Sequence, residues 1–204
     1  MIRIKKKNSD FSSAELALIV QKIKQGQILI LPTDTIYGLS CLSLNKKALE
    51  KIVRIKKRAS DKPFINLVSS LSMAKKYASI KTRDEKEIQD IWLNDKRPTT
   101  IILPAKKNLP RQMLSQIVSK DGTISLRLPK SDFLIKIIRK VGAPLISTSL
   151  NLSGEKPLSN LNSLNKYFLP SNQPDLIIDI GELKKAKPSK IIDWRFNPPK
   201  VIRK

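Results

Sequence analysis

The sequence predicts an α/β (or α+β) protein, a single domain over residues 1–204 built on a twisted mixed β-sheet flanked by helices. Three observations lead there. Helical and strand patterns intermix along the whole chain. Apolar runs such as "ILIL" at 28–31 have the near-continuous character of strands covered on both faces of a sheet. No fixed-period repeat and no Pro/Gly/Ser-rich linker divides the chain, and 204 residues suffice for one substantial core.

In chain order, "SSAELALIVQKIKQG" is the first helix, with Ser12 and Glu15 spaced as a capping box and Gly26 closing it. "QILILP" follows as a buried strand. A second helix starts at Asn45 in "NKKALEKIVRIKK", and "PFINLV" is a strand. "SMAKKYA" and "TRDEKEIQDIW" are helices, the latter with a second capping-box pattern from Thr82 to Glu85. "TTIILPA" and "TISLRLP" are strands joined by a basic connection, "AKKNLPRQMLSQIVSKDG", whose position suggests a flap over a cavity. "SDFLIKIIRKVG" runs as a helix from Ser131 to Gly142, "APLISTS" is a strand, and "LNSLNKYF" a short helix. "DLIIDIG", "SKIIDW" and "KVIR" complete the strands.

Composition excludes several chemistries. With no histidine and a single cysteine, Cys41, neither a Ser-His-Asp triad nor a His-ligated zinc site can be assembled, and no disulfide framework exists. Any metal must be a hard ion held by oxygens, and no protein metal site is expected. The N-terminal "MIRIKKKNSDFSS" lacks the apolar region of a signal peptide, and no run approaches a membrane span, which predicts a cytoplasmic protein. Lys and Arg number 40 against 17 Asp and Glu, a formal charge of +23, which suits polyanionic partners such as tRNA or double-stranded RNA. An AT-biased genome, rich in Lys, Ile and Asn codons, gives the same composition without any RNA contact.

The phosphate loops G-x-x-x-x-G-K-[ST] and G-x-G-x-x-G are absent, and six glycines could hardly supply them. Three other clusters stand out. "PTDTIYGL" puts Thr33, Asp34, Thr35 and Tyr37 directly after a core strand; "RIKKR" puts Lys56 and Arg58 at a helix end; "ISTSLNLSG" puts Ser147, Ser149 and Asn151 after another core strand. Singly, these are a turn, a helix C-terminus complemented by cations, and an N-cap. Together, hydroxyls at two strand ends beside a basic loop describe a recognition site for something small and anionic.

These stretches, in this order, resemble the YrdC-like family of threonylcarbamoyl-AMP synthases: "PTDTIYGL", the K-x-R of Lys56 to Arg58, and the S-x-N of Ser149 to Asn151. The likeness continues in "RPTTIILP", in "LRLP" around Arg127, in "PSKIID" around Ser189 and in the final "VIR". It departs where Lys96 and Arg97 replace a usual Pro-Gly, and where Lys190 replaces a usual Thr. The resemblance implies a basic concave cavity and the joining of L-threonine, bicarbonate and ATP, with Mg²⁺ travelling with the nucleotide. The product, threonylcarbamoyl-AMP, feeds N6-threonylcarbamoyladenosine formation in tRNA through separate transfer proteins. By motif, Lys56, Arg58, Ser149, Asn151 and Arg203 would hold ATP, with Lys56 and Arg58 catalytic. Thr33, Thr35, Tyr37, Arg127, Ser147 and Ser189 would hold threonine. The alternative is a catalytically weak paralogue that binds RNA through the same basic cavity.

Overall fold

The computed structural model describes residues 2–7, 10–57, 64–110, 117–151, 155, 157–158, 160–162, 164, 168, 172–183 and 186–204. Ten strands form one mixed sheet: β1 (Ile2–Lys5), β2 (Leu29–Leu31), β3 (Gly38–Leu42), β4 (Ile65–Leu67), β5 (Thr99–Pro104), β6 (Thr123–Arg127), β7 (Leu145–Ser149), β8 (Leu176–Asp179), β9 (Lys190–Asp193) and β10 (Lys200–Arg203). Their spatial order is β1-β8-β2-β3-β7-β4-β6-β5-β9-β10. β2, β3, β7 and β4 pair antiparallel in succession, whereas β4 with β6 and β5 with β9 are parallel.

Five helices are described: α1 (Ser13–Lys24), α2 (Lys46–Lys56), α3 (Leu71–Tyr77), α4 (Thr82–Asn94) and α5 (Asp132–Val141). The capping box expected at α1 is present, with the Ser12 hydroxyl accepting from the Glu15 amide and the Glu15 carboxylate accepting from the Ser12 amide. The one expected at α4 is not. Lys81 is the N-cap, without a side-chain cap, so Thr82 already lies inside the helix, and Glu85 instead meets Lys75 of α3 at 2.6 Å. The expected helix at 161–168 and the connection at 105–122 lie partly outside the described residues.

Sequence patterning missed two strands. β3 runs through Gly-Leu-Ser-Cys-Leu, whose glycine and serine have low strand propensity. Its place is set by partners on both sides: β7 pairs with it over its whole length and β2 pairs with Gly38–Ser40. β1 is a mostly exposed edge strand with two basic residues, held to β8 in parallel register and by Arg3 on Asp179 at 2.6 Å.

Side chains alternate across a strand, so each strand serves two layers. Leu29 and Leu31 of β2 pack with α1 and α5, through Ile19, Ile23, Leu134 and Ile138, while Ile28 and Ile30 pack on the other face against Leu49 and Ile52 of α2. Further along the sheet, Ile101, Leu103, Ile124 and Leu126 pack against Ile88 and Trp92 of α4. Their alternating neighbours Thr100, Ile102, Ser125 and Arg127 point the other way, where no described helix covers them and a cavity opens.

Tyr37 belongs to this core and not to that cavity. It is fully buried against Ile30, Leu39 and Ile52; its hydroxyl donates to the Gly181 carbonyl at 2.7 Å and accepts from the Ile180 amide at 3.0 Å. The expectation that it contacts threonine is therefore replaced by a packing role. Burial, more than any other effect, raises its pKa to about 12, so the phenol stays neutral and able to donate. Tyr37→Phe leaves the buried Ile180 amide unpaired and is expected to lower unfolding stability by about 1–3 kcal/mol, read by urea denaturation. An unchanged midpoint would contradict the assignment.

Candidate functional site

The cavity has a volume of about 380 Å³ and its floor is one face of the sheet. Strand register explains how distant segments meet there. Gly38 pairs with Ser149 and Ser40 with Ser147 across β3 and β7; Ile65 pairs with Ser125 across β4 and β6; Thr100 pairs with both Arg127 and Ile191 in β5, β6 and β9. Residues opposite one another share a face, so a row of hydroxyls and one arginine continues the surface that α1 and α5 cover elsewhere.

Thr33, Thr35, Arg127, Ser147, Ser149, Ser189 and Arg203 all line this cavity, as the sequence expected of a single site. The Thr33 hydroxyl is already committed to the loop: it donates to the Ile36 carbonyl at 2.6 Å and accepts from the Thr35 and Ile36 amides at 3.1 and 3.2 Å. Its proton being used, the contact with Thr35 Oγ1 at 3.0 Å is one in which Thr35 donates. Thr33 thus shapes the wall and holds the loop.

Lys56 lies beside the cavity and does not line it. Its ammonium, at the end of α2, donates to the Ser149 carbonyl at 2.5 Å and to the carbonyl and Oδ1 of Asn151, each at 2.8 Å. The Ser149 hydroxyl also donates to Asn151 Oδ1, at 2.6 Å, and Asn151 Nδ2 donates to the Glu155 carbonyl. Lys56 of the K-x-R motif and the S-x-N motif are therefore one hydrogen-bonded unit, in which Lys56 fixes the turn after β7. Lys57 ends α2 in the left-handed conformation, φ 47°. Arg58 lies outside the described residues, as does the end of the third cluster at 152–154.

Arg127 carries the electrostatics. Its guanidinium is buried, with Nη2 3.1 Å from Asp34 Oδ1; the two side chains are 7% and 5% exposed. Burial depresses its pKa while Asp34 opposes the shift, and the guanidinium stays charged. Its Nε is buried with no hydrogen-bond partner among the described residues. Asp34, in the same loop as Thr33, also accepts from the Lys130 amide at 2.9 Å, tying the loop to the end of β6. Asp34 was passed over as a site residue, and so were Thr100 and Ser125. The alternation in "TISLR" could have revealed Ser125; Asp34 stands in the "PTDTIYGL" cluster, but nothing local pairs it with Arg127.

Arg203 donates through Nε and Nη2 to the Ser189 carbonyl at 2.9 and 2.7 Å, and through Nη2 to the Ser189 hydroxyl at 3.1 Å. That hydroxyl is also 2.9 Å from Thr100 Oγ1. Burial, then the proximity of Arg97 and Arg127, lowers the Arg203 pKa. Among the described residues no group of three His, Cys, Asp or Glu side chains could hold a metal ion, and no helix is long and apolar enough to cross a membrane.

A family model described as telomere recombination, Sua5/YciO/YrdC, matches residues 21–204. The chain belongs to this family. A Methanocaldococcus jannaschii relative, provisionally named threonylcarbamoyl-AMP synthase, is 36% identical over 99% of this chain and 90% of its own length. The threonylcarbamoyl-AMP synthase of Dichelobacter nodosus is 31% identical over 91% and 92%. Among solved family structures, E. coli YciO superposes with a TM-score of 0.80 at 27% identity, covering all of this chain and 94% of its own. P. abyssi Sua5 complexed with L-threonine superposes with a TM-score of 0.80 at 23% identity, and shows the shared fold; this chain spans 56% of its length.

Gly38 has a steric role in this cavity. A Cβ there would lie 2.2 Å from Ser147 Oγ and 3.2 Å from Thr33 Cγ2. Gly38→Ala is expected to cost about 1–3 kcal/mol by overpacking. Adding Ser147→Ala, which removes the clashing oxygen, should recover most of that loss in thermal unfolding; strictly additive effects would show that the contact is not the cause.

Proposed function

We propose that the protein is an ATP-dependent L-threonylcarbamoyladenylate synthase supplying the intermediate for N6-threonylcarbamoyladenosine in tRNA. The observation that carries this reading is the buried Arg127, charged, with an unpartnered Nε, in a cavity floored by hydroxyls. A buried guanidinium with open donors fits a planar carboxylate, and the neighbouring hydroxyls of Thr35, Ser147 and Ser125 suit a small hydroxy amino acid. The naming of the M. jannaschii and D. nodosus relatives, and the L-threonine bound to P. abyssi Sua5, support the same assignment.

The reaction needs positioning more than a proton-transfer catalyst. The amine of threonine adds to the bicarbonate carbon with loss of water, giving a carbamate. A carbamate oxygen then attacks the α-phosphorus of ATP, and the bond to the β-phosphate oxygen breaks to release pyrophosphate. Negative charge gathers on the phosphoryl oxygens, which Arg203, Arg58 and the Lys56 ammonium are assigned to offset. Magnesium would be held by the nucleotide's own phosphate oxygens and would offset their charge. Lys56 serves this step also by fixing the Ser149–Asn151 turn, against which the nucleotide is placed.

Pyrophosphate release is expected to require threonine, bicarbonate and ATP together, with threonylcarbamoyl-AMP detected by mass spectrometry. Lys56→Met should lower the rate by on the order of 10²-fold. Release that persists without threonine would overturn the assignment. Steeply salt-dependent RNA binding without adenylate product would replace it with the paralogue reading.

A further inference from the structure

β10 is the last strand of the sheet, and among the described residues it is paired on one side only, with β9. All four of its residues are exposed, Val201 and Ile202 at 43% and 51%. Its pairing with β9 carries a bulge: Val201 stands opposite Ile192 and Arg203 opposite Ile191, which leaves Ile202 as an extra residue. Successive side chains of a regular strand point to opposite faces, and the extra residue breaks that order, so Ile202 and Arg203 both reach the cavity. Lys200 shares the face of Arg203, because their partners in β9, Asp193 and Ile191, are two residues apart. Val201 is left on the other face.

The open edge is therefore cationic on one face and apolar on the other. Lys200 and Arg203 form no ion pair among the described residues; Asp193, the acid opposite Lys200, is held by Arg195 at 2.7 Å. The Lys200 ammonium lies 5.5 Å from the centre of the exposed Phe196 ring. The opposite edge of the sheet, β1, differs: Arg3 is met by Asp179, and neighbouring Lys6 by Glu15. An edge with open amides and carbonyls is a template for another strand. A second copy would set the cations of one β10 against those of the other, and like charges opposed across strands are destabilising. An acidic strand meets no such penalty.

We propose that β10 is a docking edge for an extended acidic segment of a partner protein. The segment adds to the sheet as a further strand, with acidic side chains on the face of Lys200 and Arg203 and apolar ones on the face of Val201. Main-chain hydrogen bonds supply the affinity of such an addition, and the alternating side chains its selectivity. A strand seated there lies beside Ile202 and Arg203, so the partner forms part of the cavity rim.

The probe is a fluorescent peptide of alternating Glu and Val, titrated with the full chain and read by anisotropy. One control is the same peptide N-methylated at every residue, which keeps the charge and cannot pair as a strand; the other alternates Lys and Val. Wild type should bind the Glu-Val peptide, and the N-methylated form at least about 10-fold more weakly. Lys200→Glu, checked for folding by circular dichroism, should weaken the Glu-Val peptide by about 5–20-fold and bind the Lys-Val peptide more tightly than wild type does. Failure of wild type to bind the Glu-Val peptide, or equal binding of the N-methylated form, would overturn the docking edge. So would a wild-type dimer in sedimentation that Val201→Lys dissociates, which would make a second copy the occupant. Binding of an RNA duplex that depends on Lys200, with no peptide binding, would assign the edge to RNA and overturn it equally.

Discussion

The period-two alternation of the central strands is the constraint from which the rest follows. One face of β2, β3, β7, β4, β6 and β5 must be apolar where α1 and α5 lie on it, and the same face must become polar where no helix covers it. The change occurs within single strands: Leu145 is in the core under α5, and Ser147 and Ser149, two and four residues on, line the cavity. A shift of one residue in register would send these serines to the opposite layer and Ile146 into the site. Fold and site thus share one specification, which is why residues far apart in sequence converge on one floor.

Burying Arg127 in this floor is costly, and Asp34 makes it tolerable. A guanidinium removed from water destabilises the fold unless its charge is met, and a single carboxylate contact meets it in part. Part is what a binding site needs, because a fully satisfied arginine has nothing left for a ligand. The Lys130 amide anchors Asp34, and the Lys130 ammonium donates to the carbonyls of Leu93 and Asp95 at the end of α4, so the clamp is braced by the outer layer. The Lys56 unit follows the same logic on the other side of Ser149, where carbonyl oxygens hold an ammonium in place.

Much of this was legible in the sequence where the cause is local. The Ser12–Glu15 capping box, the Asn45 and Ser131 caps and the left-handed Gly142 that closes α5 are set by neighbours in the chain. Thr82 shows the limit: the helix is there, but it starts one residue earlier and the capping box from Thr82 to Glu85 is absent. The pairing of β3 with β7 and that of Asp34 with Arg127 depend on partners more than ninety residues away, beyond the reach of local pattern. Tyr37 was misassigned for the same reason, since its neighbours in sequence are site residues while its contacts are in the core and at Ile180 and Gly181. The motif resemblance supplied the long-range grouping that periodicity could not.

The central claim is that a buried, half-satisfied arginine on the sheet floor receives the carboxylate of a small amino acid. Calorimetric titration of L-threonine into wild type and Arg127→Gln tests it most directly, with circular dichroism confirming that the variant is folded. The account predicts one-to-one binding to wild type and a loss of at least about 10-fold in affinity in the folded variant. Equal affinity in the two proteins would contradict it.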